Sequence, residues 1–190
     1  IFESNSAMIK AAVEAMGLEC RIATVKDDLA AITKVIEEER KISQVLITTG
    51  GVSVGAYDFT TTALQQAGYE TVFHKVNQKP GKPLLFTRYG DQVAFGLPGN
   101  PRSALMGFYN YVYPFLRKAQ GAQQLFLPSL SLPLASDYRK RDGKAHFVTG
   151  AIKDGKLSVS GKQNSHLLKS FVEAQVIILI PAEKDEWQAG

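Results

Sequence analysis

A glycine-rich segment, residues 48–58, carries the strongest chemical signal in the sequence. It follows a short apolar run and precedes a segment with helical spacing, so the pattern predicts a strand, a loop and a helix in that order. Glycine lets the backbone approach a ligand, and a helix start offers free N–H groups to an anion. Thr48, Thr49 and Ser53 add hydroxyl donors. We predict an anion or phosphate site; the alternative is a tight turn that needs glycine for its dihedral angles.

Four carboxylates are expected near this segment. Asp58 closes it, Asp27 and Asp28 follow another expected strand, and Glu3 ends a third. The carboxyl ends of parallel strands meet at one edge of a sheet, where ligands bind. Carboxylates beside a bound phosphate suit Mg²⁺. The alternative for Asp58 and for Asp28 is a helix cap.

A basic segment, residues 75–83, contains three lysines held between prolines and a glycine. The lysines are Lys75, Lys79 and Lys82. Proline makes the segment stiff, and charge that is already in position stabilises a transition state without reorganisation. The pattern favours an anion-binding role over a solvated hairpin end.

A third segment, residues 96–103, predicts a strand, a rigid turn and a helix start. Pro98 and Gly99 would form the turn, with Asn100 as the helix cap and Pro101 at the first helical position. Such a start offers a second place for an anion. A well-made cap with no ligand is the alternative.

Several familiar catalytic patterns do not occur in the sequence. It contains neither a Walker P-loop, nor a dinucleotide fingerprint, nor the G-x-S-x-G turn of serine hydrolases. His74, His146 and His166 are isolated from one another, so no transition-metal site is predicted.

The apolar spacing predicts the elements that must position these segments. The expected helices cover residues 5–16, 28–40, 58–67 and 100–119. Ser4 or Asn5 is a possible cap for the first of them. The expected strands cover residues 18–25, 45–47, 69–76, 84–88, 92–96, 146–153, 157–160 and 175–180. The run at 45–47 has the continuous apolar character of a strand buried on both faces.

Alternation of strands and helices predicts a three-layer α/β domain with a mostly parallel sheet over residues 1–120. Residues 121–190 contain short strand-like runs in place of alternating strands and helices, with a hairpin signal at Asp154-Gly155. This pattern predicts a small all-β domain.

Composition limits the classes of partner. The 190 residues include 22 basic and 18 acidic side chains, for a net charge of +4 without a basic block, so neither nucleic acid nor membrane is expected as a partner. The single cysteine, Cys20, excludes an internal disulfide framework and favours a reducing cytoplasm. Because the first residue is Ile1, we expect a fragment of a longer protein.

Taken together, the segments resemble the molybdopterin molybdotransferase family, which includes MoeA and the E domain of gephyrin. The resemblance rests on their order along the chain: residues 3–5, 26–28, 48–58, 79–83 and 96–101. It implies a molybdopterin-binding α/β domain at 1–120 and the family's C-terminal β domain at 121–190. The implied activity is Mg²⁺-dependent insertion of molybdate into adenylylated molybdopterin, with release of AMP.

The resemblance also implies residue roles. Asp27, Asp28 and Asp58 would position Mg²⁺ or the attacking water, while Lys75, Lys79 and Lys82 would hold molybdate. The implied substrate-binding residues lie in the glycine-rich segment, the two proline-containing segments and three further positions: Thr49, Gly50, Gly51, Ser53, Gly55, Pro80, Gly81, Pro98, Gly99, Asn100, Pro101, Glu3, Lys144 and Ser165.

The sequence departs from the family at two of these places. Lys144 stands where the family has an arginine, and lysine lacks the bidentate fork of a guanidinium. Arg102 stands where a small apolar residue is usual, which predicts either a neutral surface change or an added phosphate contact. The chain is expected to be a fragment without the family's N-terminal domains, and the resemblance implies that those domains complete the site across a homodimer. The fragment is therefore expected to bind without turning over alone.

Three other functions stay open. A molybdopterin adenylyltransferase shares the α/β domain, although that class usually lacks the C-terminal β domain. An interaction module, as in the gephyrin E domain, would bind a protein partner without using the acids at 27, 28 and 58. A nucleotide hydrolase of the competence-damage type has the glycine loop but not the lysine–proline segment.

Overall fold

The computed structural model describes residues 4–52, 59–161, 171 and 174–190. The described helices are α1 (Asn5–Glu14), α2 (Leu29–Glu39), α3 (Phe59–Gln66), α4 (Pro101–Gly107), a π-helix (Phe108–Val112) and α5 (Tyr113–Ala119). The described strands are β1 (Val45–Thr49), β2 (Glu70–His74), β3 (Gln78–Lys79), β4 (Leu85–Tyr89), β5 (Gln92–Leu97), β6 (Tyr138–Arg139), β7 (Ala145–Lys153), β8 (Lys156–Val159), β9 (Val176–Ile180) and β10 (Glu186–Trp187). Among these helices, none is long and apolar enough to cross a membrane.

A four-stranded sheet in the order β1-β5-β4-β2 forms the centre of the first part of the chain. β1 and β5 are parallel, in a register that ends with Thr49 opposite Leu97. The other two neighbouring pairs, β5 with β4 and β4 with β2, are antiparallel. The α/β class is confirmed, but over the described strands the sheet is mixed, not mostly parallel. A tight turn at Gly90 joins β4 to β5, and a connection that short forces neighbouring strands to run in opposite directions.

Helices cover both faces of this sheet, which confirms three layers. Val93, Phe95 and Leu97 of β5 pack with α1, α4, the π-helix and α5 in one buried cluster. Ala94, between them in sequence, packs with α2 and α3 in a second cluster. The side chains of a strand alternate between its two faces, so both clusters meet at β5. β1 is half-buried along its whole length and contributes to both clusters.

Residues 18–25 do not form the strand that was predicted. The segment has no regular secondary structure, and Ile22 and Val25 are exposed. Its alternating apolar residues, Leu18 and Cys20, pack as single side chains against the first cluster. Alternating apolar spacing therefore also occurs in an extended segment that forms no β-sheet hydrogen bonds with the other described strands.

The predicted helix over 100–119 is interrupted. It continues as α4, the π-helix and α5, in direct succession. Pro114 has no N–H group to close the α-helical hydrogen bond to the carbonyl four residues earlier, at position 110 inside the π-helix. The local change to a wider turn accommodates this missing donor.

The second part of the chain is built around β7. β8 and β9 pair with β7 in antiparallel fashion, and β6 pairs separately with β10. The predicted hairpin is confirmed: Asp154 and Gly155, with φ of 48° and 72°, connect β7 to β8. β3 pairs with β7 in parallel, so a short piece of the basic segment joins this second sheet.

Candidate functional site

The glycine-rich and third segments meet at one edge of the central sheet. β1 and β5 end side by side, and the Gly50 N–H donates to the Leu97 carbonyl over 2.9 Å. A Cβ placed on Gly99 would lie 3.5 Å from the Cα of Gly50. The backbones of the two segments therefore lie side by side, in ordinary van der Waals contact at these two glycines.

We call residues 50–52 the glycine loop. Gly50 and Gly51 have φ of 89° and 66°, a region that glycine adopts readily. A Cβ on Gly51 would lie 2.3 Å from the Oγ1 of Thr60 in α3. The alternative interpretation, a tight turn that needs glycine, is thus correct for the dihedral angles of these residues. The anion or phosphate site stays a prediction.

The start of α1 reaches the same edge through Asn5. Its Nδ2 donates to the Gly99 carbonyl over 2.8 Å, and the side chain is buried. Asn5 therefore belongs to α1 rather than capping it, and Ser4 takes the cap position without a side-chain cap hydrogen bond. Within the described part of the chain, the Oδ1 of Asn5 has no hydrogen-bond partner.

The basic segment, which we call the lysine segment (residues 75–83), is held by hydrogen bonds between its two ends. The Lys75 N–H donates to the Leu84 carbonyl over 2.8 Å, and the Val76 N–H donates to the Lys82 carbonyl over 3.0 Å. Gln78 is buried, and its Nε2 donates to the Pro80 carbonyl over 3.0 Å. Its Oε1 accepts a 2.7 Å hydrogen bond from the hydroxyl of Tyr111 in the π-helix. The predicted stiffness is therefore present in the backbone, while Lys75, Lys79 and Lys82 are exposed.

Two contacts place the lysine segment beside the edge of the sheet. His74, just before it, lies with Nε2 3.1 Å from the carbonyl oxygen of Val52 in the glycine loop. Gly81 is buried, and a Cβ there would lie 3.4 Å from the Ser103 carbonyl of α4. The glycine loop, the third segment and the lysine segment thus converge.

The start of α4 has the predicted cap. The Oδ1 of Asn100 accepts from the N–H groups of Arg102 and Ser103 at 3.2 and 3.5 Å, and Pro101 takes the first helical position. Pro98 is buried in the turn before it. The prediction of a neutral surface change at Arg102 is wrong, since this residue is only 2% exposed. Burial lowers the pKa of its guanidinium, against the opposing effect of Tyr138.

A cluster from both parts of the chain surrounds Asp142. The Lys79 and Lys144 Nζ atoms lie 3.7 and 4.0 Å from its Oδ2. The His146 Nε2 lies 2.8 Å from Oδ1 and 3.0 Å from Oδ2. The Nδ1 of the same imidazole is 2.8 Å from the Tyr138 hydroxyl. Lys144 is thereby placed near Lys79, as a shared site requires.

The surroundings shift two pKa values in this cluster. Burial acts to raise the pKa of Asp142, but the hydrogen bond and charge of His146, together with Lys144, lower it below its usual value. Burial, with the charge of Asp142, raises the pKa of Tyr138 against the effect of Arg102. Asp142 is therefore a carboxylate and Tyr138 a neutral phenol near pH 7.

Of the four predicted carboxylates, the described residues include Asp27 and Asp28. Asp27 and Asp28 are exposed before α2, and the Oδ1 of Asp28 accepts from the Ala31 N–H over 2.9 Å, so the cap reading of Asp28 is correct. Over the described ranges, no group of three His, Cys, Asp or Glu side chains could hold a metal ion. Five predicted site residues lie outside the described residues: Glu3, Ser53, Gly55, Asp58 and Ser165.

Sequence reasoning missed Asp142, His146 and Tyr138. Of the three, only His146 was noted there, as an isolated histidine. The signal that could have drawn attention to them is the spacing of four residues between Asp142 and His146 before a strand. Their approach to Lys79 depends on the pairing of β3 with β7, which no local pattern shows.

Comparisons with known proteins identify relatives of both parts of the chain. Residues 1–118 match the family described as "Probable molybdopterin binding domain", and residues 131–190 match the "MoeA C-terminal region (domain IV)". The molybdopterin molybdenumtransferase of Haemophilus influenzae is 33% identical over 197 residues, which cover 100% of this chain and 48% of that protein.

Two further relatives extend the comparison. The molybdenum cofactor synthesis protein cinnamon of Drosophila melanogaster is 35% identical, over 98% of this chain and 32% of its own length. A crystal structure of the molybdopterin biosynthesis MoeA protein from Pyrococcus horikoshii OT3 superposes with a TM-score of 0.80 at 25% identity, over 100% of this chain and 45% of that one. The chain thus spans half or less of the length of these relatives, and the resemblance found in the sequence is confirmed.

Proposed function

We propose that this chain, which belongs to the family of probable molybdopterin binding domains, forms the site at which molybdate is inserted into adenylylated molybdopterin with release of AMP. The observation that carries the proposal is the convergence of three segments at one sheet edge. The Gly50 N–H joins the ends of β1 and β5 through its hydrogen bond to the Leu97 carbonyl, and His74 places the lysine segment against the glycine loop. This edge is where ligands bind in open α/β sheets.

The glycine loop and the third segment suit the phosphate and pterin end of the substrate. Thr49, Gly50 and Gly51 line the end of β1, and Pro98, Gly99, Asn100 and Pro101 line the end of β5. Small residues leave room for a ligand to approach the backbone. Ser53 and Gly55, which follow this loop in the sequence, join the proposal through the family resemblance.

The lysine segment suits molybdate, a dianion. Lys75, Lys79 and Lys82 project charge from a backbone that Gln78 and Tyr111 hold in place. Charge fixed before the substrate arrives stabilises converging negative groups without reorganisation. Pro80 and Gly81 shape this segment, and Lys144 adds a cation from the second part of the chain.

Magnesium belongs to the proposal through the family resemblance. Asp27 and Asp28 offer two exposed carboxylates, and Asp58 would supply a third. When bound, the ion would neutralise phosphate charge. The described residues do not complete a cluster for it, so we assign no step to the metal. Glu3 and Ser165 are proposed contacts of the same pocket, and the full-length protein is proposed to act as a cytoplasmic homodimer.

The β region favours this function over molybdopterin adenylyl transfer. Residues 131–190 match the MoeA C-terminal region, and Lys144 of that region lies near Lys79 through Asp142. Adenylyl transfer by the α/β part alone would not require Asp142 and Lys144 to lie beside Lys79.

Equilibrium binding of molybdate to the full-length protein tests the proposed role of the lysine segment. We expect Lys79→Ala to weaken binding at least tenfold, since a hydrogen bond to a charged group is worth roughly 1.5–3 kcal/mol. Lys34→Ala is the matched control, because Lys34 is an equally charged side chain on α2 that is 76% exposed. Equal affinities for Lys79→Ala and Lys34→Ala would contradict the placement of the site.

A further inference from the structure

We infer that Asp142 is a positioning residue that brings the ammonium groups of Lys79 and Lys144 to one point, and that His146 and Tyr138 fix the orientation of its carboxylate. The inference rests on the proposed function, because it concerns how the lysines of that site are arranged. Neither the family resemblance nor the sequence pattern assigns a role to these three residues.

The first step is the convergence of two cations on one oxygen. Lys79 and Lys144 come from segments 65 residues apart, yet both approach the same Oδ2, at 3.7 and 4.0 Å. Two ammonium groups this close to one point repel each other, and a carboxylate between them reduces that repulsion. Lys79 is 64% exposed and so depends on its partner for a preferred position.

The second step is the fixation of the carboxylate. A carboxylate only accepts hydrogen bonds, so the His146 Nε2, within 2.8 and 3.0 Å of both oxygens, carries the proton. On the other side of the ring, the Nδ1 lies within hydrogen-bond distance of the Tyr138 hydroxyl, 2.8 Å away. His146 is 8% exposed, which leaves the ring little freedom to turn. The Lys144 N–H adds a 3.3 Å hydrogen bond to Oδ1.

The third step is the backbone register that brings both parts together. β3 and β7 pair in parallel with Lys79 opposite His146. The Asn77 Nδ2 donates to the Gly143 carbonyl over 2.9 Å, one residue from Asp142. The chain therefore holds the lysine segment and the Asp142 turn together on both sides of the ion pairs. Lys79 is largely exposed, and an ion pair of such a side chain adds little stability, so the effect of Asp142 on Lys79 is on its position.

Competitive acetylation of the full-length protein with limiting acetic anhydride, read by mass spectrometry, tests the positioning without any substrate. A lysine held against a carboxylate reacts more slowly than a free one. We expect Asp142→Asn to raise the acetylation rates of both Lys79 and Lys144 by about two- to fivefold, the range of an exposed ion pair. Tyr138→Phe should raise both acetylation rates by a smaller factor. Because it removes only one hydroxyl group, it tests the same contact if Asp142→Asn does not fold.

Glu186→Gln is the matched control. It removes the same charge from an exposed carboxylate of the second part of the chain, where Glu186 pairs with Arg139 at 3.7 Å and, among the described residues, with no lysine. We expect wild-type acetylation rates in this variant. Unchanged rates at Lys79 and Lys144 in both Asp142→Asn and Tyr138→Phe would overturn the inference.

Steady-state kinetics link the positioning to the site. With molybdate as the varied substrate, Asp142→Asn should raise KM by about two- to fivefold with a smaller change in kcat, and the effect should vanish in a Lys79→Ala/Lys144→Ala background. An effect of the same size in that background would contradict the inference. If wild-type protein releases no AMP, the proposed function fails, and the acetylation rates still decide the role of Asp142.

Discussion

Gly51 illustrates how a single residue can be required for shape. Its φ of 66° strains any other residue, and a Cβ would lie 2.3 Å from the Thr60 Oγ1. We predict that Gly51→Ala lowers the free energy of unfolding by about 2 kcal/mol, from dihedral strain and from displacement of Thr60. Urea denaturation measures this change.

Gly155→Ala separates the two causes. Gly155 has a φ of 72°, and a Cβ there would meet nothing within 4 Å. This variant should therefore show only the dihedral cost, about 1 kcal/mol. Equal losses in the two variants would mean that Thr60 moves aside without cost.

Asp142 gives a pH dependence with a definite sign. Its folded pKa lies below the usual value, so the folded state binds this proton less tightly than the unfolded state does. The resulting stability is present above the unfolded pKa, near 3.9, and is lost as the pH falls through the lower folded value. The groups that face this carboxylate are Lys79, Lys144 and His146.

We therefore predict that wild-type protein is more stable than Asp142→Asn at pH 5 and that the difference shrinks steadily below about pH 4. Urea denaturation of both proteins across this range measures the difference. A difference that stays constant from pH 5 to the acid limit of folding would show that the ionised carboxylate contributes nothing.

At the scale of elements, the π-helix supports the lysine segment. The Tyr111 hydroxyl reaches the buried Gln78 amide, whose other end holds the Pro80 carbonyl. We predict that Tyr111→Phe lowers the free energy of unfolding by about 1–2 kcal/mol, because it leaves a buried acceptor without its donor. Amide hydrogen exchange over residues 75–83 should become faster in this variant.

Tyr109→Phe is the control for that prediction. Tyr109 lies in the same π-helix, is half-buried, and packs its ring against Phe108 and Tyr113. Its hydroxyl makes no hydrogen bond with the described residues, so stability and exchange should stay near wild type. Faster exchange of residues 75–83 in this variant as well would mean that helix packing, not the bond to Gln78, holds the segment.

Local patterns predicted those elements whose causes are local. α2 begins after the Asp28 cap and buries Ile32 and Ile36, as its spacing indicated. Residues 18–25 had the alternation of a strand, but a strand also needs a hydrogen-bonded neighbour, and sequence spacing contains no information on that. The interruption of the helix over 100–119 was predictable from Pro114, because proline has no backbone N–H group to donate.

At the scale of the whole molecule, the sheet-edge rule predicted more of the site than residue spacing did. It placed the glycine-rich segment and residues 96–103 at the carboxyl ends of strands, and the parallel pairing of β1 with β5 brings those ends together. The contact of Lys79 with Asp142 was beyond prediction, because β3 and β7 pair across more than sixty residues of intervening chain.

Molybdate-dependent AMP release by the full-length protein decides whether this chain holds the site of molybdate insertion. With adenylylated molybdopterin as substrate, we expect AMP release that requires molybdate and that falls at least tenfold in Lys79→Ala, a change of about 1.4 kcal/mol in activation free energy, but not in Lys34→Ala. AMP release at the wild-type rate in Lys79→Ala, or none in the wild-type protein with molybdate present, would contradict it.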